Sequence, residues 1–312
     1  MNRIRAALRS ARALAALLLL AGCAPAGAGG AAPLAGRIWD VAAHRFVGAG
    51  EVERRLAAAD VALLGETHDN PSQHGIQLRL LRAAVAAGRR PALAMEQIDT
   101  EWQDAVDRAL ASGGDASAVE HAGHVSAGWK WPLYAPIVSF AIGERLPVVA
   151  LNLPRERTRR IVGEGLASLG PGEAARLALD RTWSDARNAE LRRDIVEGHC
   201  GEDSPIVDRL VEVQRAKDAV MADRILAHDG RGVVAILGRG HARADLAVPL
   251  YLAARAPRLR LLIIGLVEVD PDAARVDDYP EVAPGRFDFV WFTTRAERGD
   301  PCAGFKGVPA GR

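Results

Sequence analysis

Four times along this chain a short apolar run stops abruptly at a side chain able to carry chemistry. Val61-Ala62-Leu63-Leu64 leads into Gly65-Glu66-Thr67-His68, and Pro91 to Met95 leads into Glu96-Gln97. Leu146 to Leu151 ends in Asn152, and Val233 to Leu237 ends in Gly238-Arg239-Gly240-His241. Short apolar runs bounded by glycine or polar residues mark interior parallel strands, which are covered on both faces. In open α/β sheets ligands bind beyond the carboxyl ends of the strands. The pattern therefore predicts one rim carrying Glu66, His68, Glu96, Asn152 and His241.

The first run also carries a helix start. Asn70 followed by Pro71 fits an N-cap with proline at the first helical position, and Gln73 lies at capping-box spacing from Asn70. The helix from Pro71 should run to about Ala87, where Gly88 supplies a stop. A shorter helix is expected from Glu51 to Ala59. Leu261 to Val267 and Phe287 to Phe292 complete about six strands, and residues 37–41 with 45–47 form a two-stranded entry. The expected class is α/β: a mainly parallel central sheet flanked by helices, with antiparallel strands near the end. Residues 98–145 and 155–228 are too long for simple crossovers and predict a helical cap inserted between strands. The layout is a single domain over residues 37–300, followed by a tail at 301–312.

Residues 1–22 differ from the rest. Arg3, Arg5, Arg9 and Arg12 precede an apolar core at Leu14 to Leu20, too short to span a bilayer, which reads as a secretory signal. It ends in Leu20-Ala21-Gly22-Cys23, which resembles the lipobox of bacterial lipoproteins. By that resemblance Cys23 is lipidated, residues 23–36 form a flexible tether, and the protein is anchored to the outer membrane, facing the periplasm or cell surface. Removing residues 1–22 leaves 36 Lys and Arg against 39 Asp and Glu, a net charge of −3. That balance disfavours a nucleic-acid partner, since phosphate binding needs a basic surface. Lysine occurs only as Lys130, Lys217 and Lys306. The remaining cysteines, Cys200 and Cys302, would lie in a compartment that permits pairing, and the sequence leaves open whether they meet.

Two histidines and carboxylates at adjacent strand ends are what acid–base chemistry or a metal needs. Glu66, His68, Glu96 and His241 are thus candidate catalytic groups, and His68, His241 and Glu66 candidate ligands for a divalent metal. His44, His199 and His228 read as loop or surface residues. His121 and His124 fall in a Gly-containing segment that suits a lid or solvated loop.

The sequence resembles the ChaN-like haem-binding uptake proteins, part of a superfamily that also holds the Tiki proteases and erythromycin esterase-like hydrolases. The resemblance rests on Gly65 to Pro71 with His74 and Gln77, on Glu96-Gln97, and on Trp131-Pro132-Leu133-Tyr134-Ala135-Pro136. It continues through Leu151 to Arg155, Gln214 with Asp218, Met221 and Ala222, and Gly238 to His241 with Arg243, Asp245, Val248 and Pro249. It implies a lipoprotein that binds haem in a homodimer for haem-iron uptake, each iron held by a tyrosine, with histidine and lysine from the partner at the propionates. Of Tyr134, Tyr251 and Tyr279, Tyr134 is the expected iron ligand, because Trp129, Lys130 and Trp131 beside it offer stacking surface and a propionate-pairing cation. His68 and His241 would assist at the cofactor. The other branches of the superfamily imply a hydrolase, metal-dependent or histidine-based, on the same strand-end residues.

Overall fold

The computed structural model describes residues 34–300 apart from Thr182, together with Cys302 and Ala303. The expected signal, the lipidated Cys23, most of the tether and most of the tail fall outside the described residues. Leu34 is already buried in the core and the Gly36 amide donates to Phe292 O, so ordered packing begins before the expected start at residue 37.

Eight strands form one sheet: β1 (Ile38–Asp40), β2 (Arg45–Val47), β3 (Val61–Glu66), β4 (Ala92–Asp99), β5 (Val148–Asn152), β6 (Val233–Gly238), β7 (Leu261–Glu268) and β8 (Phe289–Thr293). Their order is β2-β1-β8-β7-β3-β6-β4-β5. From β8 to β5 all pairings are parallel; β1 alone runs antiparallel, to both β2 and β8. The antiparallel strands expected near the end are thus at the beginning: β8 lies parallel to β7, and the entry hairpin caps that edge.

The helices are α1 (Ala49–Ala58), α2 (Pro71–Ala86), α3 (Gln103–Ala111), α4 (Ala116–Ala122), α5 (Ala135–Gly143), α6 (Arg155–Glu164), α7 (Gly170–Arg176), α8 (Asp185–Gly198), α9 (Ile206–Leu226), α10 (Arg239–Ala242) and α11 (Val248–Arg255). Both long intervals are helical, as expected: α3 to α5 fill the first and α6 to α9 the second. Among the described residues no helix is long and apolar enough to cross a membrane.

Alternation along the strands divides the core in two. Leu63, Ala94, Leu151 and Ala235 pack on one face with α9 and α11, whereas Leu64, Met95, Ala150 and Ile236 pack on the other with α2 and α5. Leu63 and Leu64 are both fully buried. Each contributes about 1.5–3 kcal/mol of apolar burial, which is why the central strands are apolar on both faces until their polar carboxyl ends. The same alternation assigns the strand-end acids. Glu66 continues the face of Leu64, toward α2 and α5; Glu96 continues the face of Ala94, toward α9.

The sheet places Asn70 as the N-cap of α2, its Oδ1 accepting from the Ser72 and Gln73 amides. Gln73 does not close a capping box. Its Oε1 accepts from Thr67 N at 2.6 Å and its Nε2 donates to Thr293 Oγ1, so it ties the strand-end loop to β8. Cys200 and Cys302 form a disulfide with a Cα–Cα distance of 5.6 Å.

Candidate functional site

The rim predicted from the four apolar runs exists at the carboxyl ends of β3, β6 and β4. Glu66 is buried and serves as a hub. Its Oε1 accepts from Tyr134 Oη at 2.5 Å and from His68 Nδ1 at 3.1 Å, and its Oε2 accepts from Gln77 Nε2 at 2.7 Å. His74, also buried, places Nδ1 at 3.5 Å from Glu66 Oε2 and bonds His68 O through Nε2. His68 itself is half-open, with 43% of its side chain exposed. Burial opposes its charged form, but the hydrogen bond it donates to Glu66 and the fields of Glu96 and Glu66 outweigh that, so its pKa lies above the ordinary value.

A second group faces the opposite layer. His241 Nδ1 donates to Asp218 Oδ1 at 2.6 Å, and His241 Nε2 lies 3.4 Å from Glu96 Oε1. Glu96 Oε2 accepts the Gly238 amide at 2.7 Å. Burial pushes Asp218 up to about 6, against the pull of His241. His241 is raised although burial opposes it, because Glu96 and Asp218 surround it. Glu96 is held low despite burial by His241, His68, Lys217 and the Gly238 N–H. The result is a histidine fixed by one carboxylate and aimed at a second, an arrangement that can hold or move a proton.

Two glycines let these groups meet. A Cβ on Gly65 would lie 2.7 Å from Ala242 Cβ and 3.0 Å from Arg239 Cα, so only glycine lets α10 press onto β3. A Cβ on Gly238 would lie 2.9 Å from His68 Cε1, 3.1 Å from His68 Nε2 and 3.5 Å from Glu96 Oε2. Each of the two Gly-x-x-His segments thus makes room for the other, and His68 lies between the two carboxylate groups.

Glu66, His68, Glu96 and His241 are brought together as expected. Asn152 is not; it sits one strand further on, its Nδ2 donating to Asp99 Oδ1 at 2.8 Å. Tyr134 is placed differently from its expected role. The residue is fully buried, its hydroxyl donates to Glu66, and burial with the Glu66 charge raises its pKa strongly, disfavouring the phenolate. Tyr251 and Tyr279 are buried as well. In this arrangement the Tyr134 hydroxyl braces Glu66. Trp131 is also buried, donating to Ala116 O, while Trp129 lies edge-on to His68 at 4.7 Å and exposed Lys130 reaches Asp69 at 3.5 Å. Among the described residues no group of three or more His, Cys, Asp or Glu is arranged to hold a metal ion, so the divalent-metal alternative at Glu66, His68 and His241 is not supported. Asp218 drew no role from the sequence reading. Its signal was an acid on the apolar face of α9, between Ala216 and Ala219.

An open cleft of about 590 Å3 lies over this rim, lined by His68, His241, Arg239, Gln214, Arg286 and Phe287 among others. A smaller cavity of about 250 Å3 continues from His241 under α8.

The family model described as "Haem-binding uptake, Tiki superfamily, ChaN" matches residues 52–252. Among solved structures, one titled "Cofacial heme binding to ChaN of Campylobacter jejuni" superposes with a TM-score of 0.68 at 21% identity, covering 81% of this chain and 95% of that one. The type III effector HopBA1 gives a TM-score of 0.44 at 13% identity over 78% of this chain and 92% of its own. A mutant of the erythromycin esterase EreC gives 0.39 at 12% identity over 70% and 72%. A search of curated proteins finds no match.

Proposed function

The chain belongs to the haem-binding uptake family ChaN of the Tiki superfamily, and from that membership we propose that it binds haem and serves haem-iron uptake. The observation that carries the reading is His68: half-exposed at the mouth of the cleft, with Nδ1 fixed by the buried Glu66. A carboxylate on one imidazole nitrogen orients the ring and raises the basicity of the other, as second-shell partners of metal-bound histidines do. The residues present fit the group. His68 offers the donor, Trp129 an aromatic edge beside it, and Lys130 with Arg239 cations near the cleft mouth. Bound haem would supply the iron cargo, and a porphyrin held over so open a cleft leaves one face uncovered, which suits a second copy of the chain closing over it. We propose that dimer, together with anchoring to the outer membrane through lipid on Cys23, from the sequence. His68 replaces Tyr134 as the proposed iron donor, because Tyr134 is committed to Glu66.

Titrating the full chain with haemin tests this. A saturable Soret band is expected, lost in His68→Ala and retained in Tyr134→Phe. Absence of saturable binding overturns the function; loss in Tyr134→Phe with retention in His68→Ala overturns the ligand.

A second reading has one observation behind it: the buried Asp218–His241–Glu96 chain, which haem binding does not use. It is the arrangement of a histidine-based hydrolase, in which His241 takes a proton from water attacking an ester or amide carbonyl. Hydrolysis of chromogenic acyl esters by the wild type, absent in His241→Gln, would favour it; equal background rates in both would remove it.

A further inference from the structure

A second polar cavity, of about 380 Å3, opens at the carboxyl ends of β4 and β5, beside the start of α6. It is walled by Gln97, Asp99, Asn152, Arg155 and Lys217, with Trp129 at its edge. Its size lies at the low end of the roughly 300–1,000 Å3 typical of small-molecule sites. No role for it follows from haem binding at His68.

Its polar groups are unbalanced in a specific way. Neither the Lys217 ammonium nor the Arg155 guanidinium makes an ion pair or hydrogen bond with any described side chain, although nearly every other arginine near the rim is paired. Lys217 is felt by Glu96 and Asp99 only through space. Gln97, 2% exposed, forms the inner wall; it bears on the Tyr134 hydroxyl, but neither of its amide atoms has a hydrogen-bond partner of normal geometry. Asn152 spends Nδ2 on Asp99 and leaves a buried Oδ1 without a partner. Asp99 is pushed above the usual carboxylate range by burial, even though Asn152 and the Arg155 amide donate to it.

Two uncommitted cations against one carboxylate ask for an anion. Two buried acceptor oxygens and a destabilised carboxylate ask for N–H or O–H donors on that same molecule, because a buried polar group left unpaired costs about 1–3 kcal/mol. A plain anion answers only the first demand. We propose that this cavity binds a small zwitterion of the α-amino-acid type, its carboxylate on Lys217 and Arg155 and its ammonium toward Asp99 and Asn152 Oδ1. Trp129 would cover the side chain.

The test is isothermal titration of the full chain with L-alanine, L-serine and L-glutamine, alongside N-acetyl-L-alanine and L-alaninamide, on haem-free and haem-loaded protein. Saturable binding of a free amino acid is expected, weakened at least about tenfold when its ammonium or its carboxylate is masked. The same loss is expected in Lys217→Met and in Arg155→Gln, the second a change at an exposed position that tests the cation pair independently of packing on α9. No saturable binding of any probe overturns the proposal. Equal affinity for N-acetyl-L-alanine overturns the zwitterion in favour of a simple carboxylate. Amino-acid binding abolished by haem, together with weaker haem binding in Lys217→Met, assigns the cations to haem propionates and overturns it as well.

Discussion

Replacing Gly65 by alanine should separate packing from chemistry at this rim. The new methyl would sit 2.7 Å from Ala242 Cβ and 3.0 Å from Arg239 Cα. Ordinary carbon contacts lie at about 3.5–4.0 Å, so the overlap is about 1 Å and falls on groups that cannot swing aside. Either β3 or α10 must shift, an overpacking cost of about 1–3 kcal/mol, offset by less than about 1 kcal/mol from the stiffer unfolded chain. A net loss of about 1–2 kcal/mol lowers Tm by roughly 2–8 °C in a domain of this size. Gly238→Ala is the contrast. Gly238 has φ −57°, which alanine accepts, and its methyl would meet the half-exposed ring of His68, which can move. It should cost less than about 1 kcal/mol yet displace His68 and weaken the haemin spectrum. Reversible urea unfolding and haemin titration of both variants provide the assay. If Gly65→Ala is as stable as wild type, or if Gly238→Ala unfolds more easily than Gly65→Ala while binding haemin normally, the reciprocal-glycine argument is refuted.

Asp218 is buried with its pKa raised to about 6, so the folded state holds this proton more tightly than the unfolded chain does. The contribution is therefore full below the ordinary aspartate value and is lost as pH rises through about 6, a fall of about 1–3 kcal/mol. His241, also raised, acts in the same sense at higher pH. Asp218→Asn keeps an acceptor for His241 Nδ1 and should flatten stability between pH 4 and pH 6 in urea titrations, and an unchanged slope would contradict this. Opening the Cys200–Cys302 bond, which spans 102 residues, by the paired change to serine should cost about 2–4 kcal/mol. Denaturant midpoints with and without reductant measure it, and coincident midpoints for the oxidised wild type and the serine variant would count against the bond. Asn70→Ala removes the α2 cap and the bonds to Glu268 Oε1 and Thr294 O, with an expected loss of about 1–2 kcal/mol by thermal unfolding.

The class of fold was legible because a parallel strand covered on both faces must be apolar where it crosses the core, and β3, β4, β5 and β6 are apolar up to their carboxyl ends. The start of α2 was equally legible, since an N-cap is a local bargain between Asn70 and its own next residues. Strand order and sense were not. β8 reads the same whether parallel or antiparallel, and only its long-range pairing with β7 and β1 decides.

Sequence alone determined that Glu66, His68, Glu96 and His241 lie where apolar runs give way to polar residues, at or just beyond the carboxyl ends of buried strands. It also determined the family, because the motifs follow one another in order. Only the tertiary structure decided what those residues do to one another. Strand alternation sends Glu66 and Glu96 to opposite layers, so each acid finds partners from a different helix: Tyr134 and Gln77 for one, His241 and through it Asp218 for the other. Those partners stand up to 145 positions away from the acids they serve, as the bond from Glu96 across to Gly238 and His241 illustrates. Burial likewise fixes the surroundings of Tyr134: beside Trp129, Lys130 and Trp131 in sequence it reads as a cofactor ligand, and only the fold shows its hydroxyl sealed against Glu66, where the phenol form is favoured.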